Sequence, residues 1–192
     1  MTIVCGTDFS ERARQAARAA AAIAARFGER LVLVHVADES GAELSDGTPE
    51  QPLCGPLRQE ATELRAIAPQ VEEVLASGAV DVALAEAARR YEARMLVVSS
   101  LGRRAPARWL IGSVAEQAAQ AAPVPVLVAR GGGAFEAWAR GERRLRVLVG
   151  VDGSPAARAA LDWIGELRRV GACDVTAAYV ASPPEEHARL GV

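Results

Sequence analysis

Three small residues sit at a spacing suited to holding phosphate. In "VVSSLGRRAPARWLIGSVAEQ", residues 97–117, Ser99 stands three positions before Gly102, and nine residues separate Gly102 from Gly112 and Ser113. Small residues let a backbone approach a phosphate closely, and a helix opening at Gly112 offers unpaired N–H groups and a positive dipole end to an anion. Ser113 adds a hydroxyl donor, and Arg103, Arg104 and Arg108 can neutralise charge from the loop. Asp8 is suited to accept hydrogen bonds from a ribose hydroxyl or an amine on a base. Bland readings stand beside these. The stretch could be a plain strand-to-helix loop, since a lone G-x9-G has little specificity. Asp8 could simply cap the helix after it, and the loop arginines could be a solvated face.

The elements that must position these residues follow from the pattern around them. "TIVCGTD", 2–8, is a short apolar run ending at Asp8. Alanine-rich 10–27 follows, opened by Ser10 as an N-cap and stopped at Gly28. "ERLVLVHVA", 29–37, is the next run, and Val36 lies at its end. Run, helix, run is a βαβ unit and implies a parallel sheet. Residues 38–56 lack any period and read as a long exposed loop. Helix 57–68, strand 70–77, helix 79–91 and strand 94–100 come next, then the Ser99–Gly112 loop and a helix to Ala122. Strand 123–129, "PVPVLVA", carries prolines that suit a sheet edge. Five strands alternating with four helices make a doubly wound α/β domain over residues 1–130. Ligands in such sheets bind beyond the carboxyl ends of the strands, where Asp8, Val36 and Ser99–Gly102 converge.

"RGGGAFEAWARGERR", 130–144, reads as a linker, with 131–144 as its extent. The start of the chain then recurs. "IVCGTDFS", 3–10, matches "VLVGVDGS", 147–154, at an offset of 144 that holds without a gap to Ala37 and Ala181. Residues 145–192 are expected to be a partial second copy, β-α-β, of the first domain. Two strands and one helix cannot cover both faces of a parallel sheet. The expectation is a chain cut from a longer tandem protein, with completion on another subunit as the alternative. Asp152 repeats Asp8 without a fourth-strand loop opposite it, so one ligand site per chain is expected.

Composition narrows the chemistry. Formal charge is −2 with acids and bases interspersed, which argues against a nucleic-acid surface. Every basic side chain is Arg, so the Lys of a Walker phosphate loop is absent. No pair of carboxylates and no evident base for a water suggest hydrolysis. Three cysteines, far apart and without C-x-x-C spacing, argue against a disulfide framework or zinc site and place the chain in a reducing cytoplasm. No leader peptide and no membrane span are expected. His35 reads as a hydrogen-bonded core or edge residue, His187 as part of a polar tail, and Trp109 as packing.

On Asp8, Gly102, Gly112, Ser113 and the apolar Val114 behind it, the chain resembles the universal stress proteins. Adenine-nucleotide-binding members carry G-x2-G-x9-G-[S/T] after the fourth strand and an Asp after the first. Residues 1–130 look like one whole family domain and 145–192 like the start of another. The resemblance implies strand order 3-2-1-4-5 and a site at Asp8, Val36, Ser99, Gly102, Arg103, Arg108, Gly112, Ser113 and Val114. It implies ATP with Mg²⁺, little or no hydrolysis, and a regulatory role in stress survival. It also implies a homodimer through edge strand 124–129, or a pseudo-dimer with the second domain. A non-nucleotide-binding dimerising scaffold and a slow ATPase are the competing functions, and a receiver-type phosphoacceptor at Asp8 fits poorly without a Lys. The pattern departs at Ser99, where the family has Gly. A positive φ there would cost a Cβ about 1 kcal/mol, whereas a negative φ admits Ser and its hydroxyl.

Overall fold

The computed structural model describes residues 1–37, 54–102 and 111–180, which fall into two compact units divided between Ala139 and Arg140. The first unit is built on strands β1 (Thr2–Gly6), β2 (Arg30–Ala37), β3 (Val71–Ser77), β4 (Ala93–Ser99) and β5 (Val126–Ala129). They form one parallel sheet in the order β3-β2-β1-β4-β5, as expected. Position in the sheet explains composition. β1 is central, and Ile3, Val4 and Cys5 are wholly buried, so its sequence runs apolar without alternation. β5 is an edge that begins just after Pro125, whose carbonyl accepts from Leu96 N at 3.0 Å.

Helix α1 (Glu11–Phe27) begins at the Ser10 N-cap, whose side chain accepts from Ala13 N. It ends at Gly28, whose left-handed φ of 66° lets its N–H reach the carbonyls of Ala24 and Ala25. Nine of its residues, mostly alanine, are buried, including the consecutive run Ala19–Ala24. Burial all the way round demands small side chains, because α1 is packed between the sheet and other helices.

Helices α2 (Cys54–Leu64), α3 (Val80–Arg90) and α4 (Ser113–Ala121) complete the winding. α2 starts three residues earlier than its periodicity predicts and stops four earlier. Pro56 fits a helix's first turn, and the chain beyond Leu64 closes in turns, with Ile67 N and Ala68 N both bonding the Leu64 carbonyl. On one face of the sheet Val4, Val32, Leu84, Leu96 and Val98 form a core with Ala115 and Ala118 of α4, and Val36 and Val114 pack against it.

The predicted linker 131–144 is a linker only in part. Gly133–Ala139 forms a short helix, α5, that lies on α1 within the first unit. Trp138 is wholly buried, its carbonyl accepts from Arg26 Nη2 at 3.0 Å, and the Arg26 guanidinium stacks over its ring. Arg18 grips Glu136 through both nitrogens of its fork, Nε to Oε1 at 2.9 Å. Gly132 approaches α1 so closely that a Cβ there would lie 2.6 Å from the Gln15 carbonyl. These contacts are tertiary, and a Gly-rich run conceals them.

The second unit holds β6 (Leu145–Gly150), α6 (Pro155–Val170) and β7 (Cys173–Ala178). β6 and β7 make a two-stranded parallel sheet, the β-α-β order expected from the repeat. Among the described residues, no helix is long and apolar enough to cross a membrane.

Candidate nucleotide site

The carboxyl ends of β1 and β4 meet the start of α4. Beyond β1, Thr7 N donates to the Val34 carbonyl at 2.9 Å, extending the β1–β2 ladder by one residue. Asp8 follows, and its Oδ1 accepts from Ser10 N at 3.0 Å. Asp8 therefore does brace the helix start, one of its two expected roles, while Ser10 is the N-cap itself. Between them Phe9 takes a φ of 62°, the left-handed region that costs a side chain about 1–2 kcal/mol. Its ring lies 4.4 Å from that of His35, whose Nδ1 contacts the Thr7 carbonyl at 2.8 Å. A carbonyl only accepts, so Nδ1 carries the proton.

Beyond β4 the structure brings Gly102 and Gly112 together with Asp8. A Cβ on Gly102 would stand 3.1 Å from Asp8 Oδ2, tighter than nine in ten real contacts. A Cβ on Gly112 would lie 3.5 Å from the Ser100 carbonyl and 3.8 Å from Gly102 N. Gly112 N donates to Ser100 O at 2.7 Å, which ties the start of α4 back to the strand end. Gly112 is the N-cap of α4 and has no side chain to satisfy the first-turn amides. Ser113 is exposed at the first helical position. Val36 and Val114 are half-buried on the core side. Arg103 and Arg108, with Arg104 and Trp109, lie outside the described residues.

Ser99 is not left-handed, because Phe9 and Glu92 are the described non-glycine residues at positive φ. Its hydroxyl donates to the Leu101 carbonyl at 3.1 Å, bracing the turn out of β4. The departure from glycine thus costs no backbone strain here. At Gly102 φ is not left-handed, and what a Cβ would meet is the Asp8 carboxylate, which would have to shift by a few tenths of an ångström.

Sequence reasoning missed Thr7, Phe9 and Glu60. Glu60 is 5% exposed, and Thr7 Oγ1 donates to its Oε2 at 2.9 Å. Burial pushes the Glu60 carboxyl above the usual range, with Glu63 and Asp8 adding to the rise and the Thr7 hydrogen bond and Arg14 opposing it. A signal was present: Glu60 interrupts the buried stripe Leu57, Ala61, Leu64 at helical spacing. Cys5 lies beneath, its thiol pushed far up by burial and then by Glu60, and so inert as a nucleophile. A separate cleft of about 630 Å³, lined by Arg14, Arg18, Glu63, Gly132 and Glu136 among others, contains none of the predicted site residues.

Against known proteins, the universal stress protein family matches residues 1–130 and 144–191. Among solved structures the chain is similar to a universal stress protein in complex with cAMP, at 28% identity and a TM-score of 0.57 over 68% of this chain and 97% of that one. It has the fold of the Lactobacillus plantarum protein UspA, at 22% identity and TM-score 0.55 over 68% and 97%. It also has that of an Archaeoglobus fulgidus universal stress protein in complex with dAMP, at 24% and 0.54 over 67% and 96%. No curated protein matches the sequence.

Proposed function

The chain belongs to the universal stress protein family, and on that premise we propose that it binds an adenine nucleotide, ATP with Mg²⁺, at the carboxyl edge of its first sheet. The observation that carries this reading is the approach of Gly102 to Asp8 Oδ2, with the uncapped start of α4 beside it. The relative solved with cAMP supports the ligand class. Asp8 would accept from ribose hydroxyls, which no main-chain donor nearby can do. The first-turn amides of α4, with Ser113, would hold phosphate oxygens, since no side chain caps them among the described residues and they lie at the positive end of a helix dipole. Gly102 and Gly112 would keep the backbone low enough for the phosphates to reach those amides. Val36 and Val114 would give the base and sugar an apolar floor.

The function is regulatory: occupancy, not turnover, carries the signal in a stress response. The sequence holds no Lys to polarise a γ-phosphate. The open edge of β5 is the surface for a homodimer, which sedimentation would detect and a Pro at Val128 would weaken.

Binding is tested by thermal unfolding with and without Mg-ATP or cAMP. Ligand at 100 times its Kd stabilises the native state by about 2.7 kcal/mol. Gly112→Val should abolish that shift while leaving the unliganded melting temperature within a few degrees. No shift with either ligand at millimolar concentration contradicts the reading.

A further inference from the structure

We propose that Glu60, acting through Thr7, is a positioning residue that holds the Asp8–Phe9 turn in its nucleotide-binding form, and that its protonation tunes affinity for the nucleotide. The inference rests on the proposed function above for its ligand, and on the turn itself for its geometry.

Phe9 is held at a φ of 62° although a β-carbon disfavours it. Something must hold it there. Its N–H donates to Thr7 Oγ1 at 3.1 Å, and the Thr7 hydroxyl donates to Glu60 Oε2 at 2.9 Å. A hydroxyl has one proton, so accepting from Phe9 leaves that proton for Glu60, and the direction of the chain is set. Removing Glu60's acceptor frees the Thr7 rotor and loosens the Phe9 amide. Asp8 lies between the two anchored residues, so its carboxylate moves with them.

Glu60 is also poorly explained as a stabilising residue. It stands between Leu57, Ala61 and Leu64, and its Oε1 is buried without a hydrogen-bond partner. An apolar side chain would serve the core better. The groups facing it are Arg14 from α1, Asp8 from the β1–α1 turn, Glu63 from its own helix, and the protonated Cys5 from β1. Arg14 favours the carboxylate; burial, Asp8 and Glu63 favour the neutral acid. Ionisation therefore sets a second negative charge near Asp8, where an anionic ligand would sit. By linkage, binding of the anion favours the protonated form, and affinity falls as pH rises through the titration of Glu60.

For stability the sign is the same. The folded value lies above the ordinary Glu value of about 4.3, so the native state holds the extra proton in that window. Stability is full below the ordinary value and declines as pH rises through the raised one. Glu60→Gln keeps an acceptor for Thr7 and removes the titration.

The test is calorimetric titration of the full chain with cAMP, whose phosphodiester does not titrate between about pH 5 and pH 9, for wild type, Glu60→Gln and Glu60→Leu. Wild-type affinity should fall roughly tenfold from the acid to the alkaline end. Glu60→Gln should bind as the wild type does at low pH and lack the wild-type fall with rising pH. Glu60→Leu should bind at least tenfold more weakly at every pH. A Gln variant with the wild-type profile, or a Leu variant with wild-type affinity, overturns the proposal. Amide exchange at Phe9 in the unliganded protein separates the two readings. If no variant binds cAMP and none binds Mg-ATP, the proposed function fails. Slow exchange in wild type and Gln with at least tenfold faster exchange in Leu would still support Glu60 as the holder of the turn. Equal exchange in all three would overturn that as well.

Discussion

The chain makes one turn twice, and the two versions differ in what holds them. After β1, Thr7 N bonds the Val34 carbonyl, Asp8 accepts from Ser10 N, and Ser10 caps α1. After β6, at an offset of 144, Val151 N bonds the Ala178 carbonyl, Asp152 accepts from Ser154 N at 2.9 Å, and Ser154 caps α6. The N-cap angles agree within a degree, φ −68° in both with ψ 158° and 159°. At the left-handed position, however, the second turn has Gly153, φ 82°, and the first has Phe9. Glycine adopts that conformation without strain; Phe9 does not. Thr7 and His35 anchor the first turn, where the second has Val151 and Tyr179, the latter 69% exposed. Asp152 is exposed, and its hydrogen bonds to Ser154 hold its carboxyl below the usual range. The lesson is that the shared backbone needs only Asp, Ser and a tolerant residue between them. The strained Phe9 and its anchors are additions, and such additions collect at functional sites.

The contrast extends to the elements behind the turns and can be broken there. The largest effect is expected at Trp138, which is wholly buried and docks α5 on α1 within the first unit. Trp138→Ala should cost about 3–5 kcal/mol in urea unfolding, whereas a true linker would tolerate it. Next come two equivalent strand positions, Val4 at 0% and Leu148 at 73% exposure. Val4→Ala should cost about 2 kcal/mol, and Leu148→Ala no more than about 0.5. The smallest effect sharpens the turn comparison itself. Gly153→Ala should destabilise β6–α6 by about 1 kcal/mol, read as faster amide exchange across residues 145–178. Phe9→Gly should change stability by less than about that amount, since relief of strain offsets the lost ring contact with His35.

Most of the first sheet was legible because its signals are local. Alternating short runs and helices, Ser10 before an alanine-rich stretch and Gly28 after it each specify a boundary within a few residues. The repeat of Asp8 as Asp152 was equally plain. Of the candidate site, Gly102 and Gly112 were legible from spacing and Asp8 from its place after the first strand, and Gly102 lies against Asp8 on one side and near Gly112 on the other. What stayed hidden depends on partners distant in sequence. The docking of Trp138 on α1 and the burial of Glu60 against Thr7, 53 residues away, are of this kind. Phe9 was hidden for another reason, since a bulky residue is the last one expected in a left-handed turn.

The central claim is that one of the two matching turns belongs to a nucleotide site. Calorimetric titration of Mg-ATP into the wild-type chain, Asp8→Ala and Asp152→Ala tests it most directly. A stoichiometry of one per chain is predicted, lost in Asp8→Ala and unchanged in Asp152→Ala. Binding that survives Asp8→Ala, or that requires Asp152, would contradict the account.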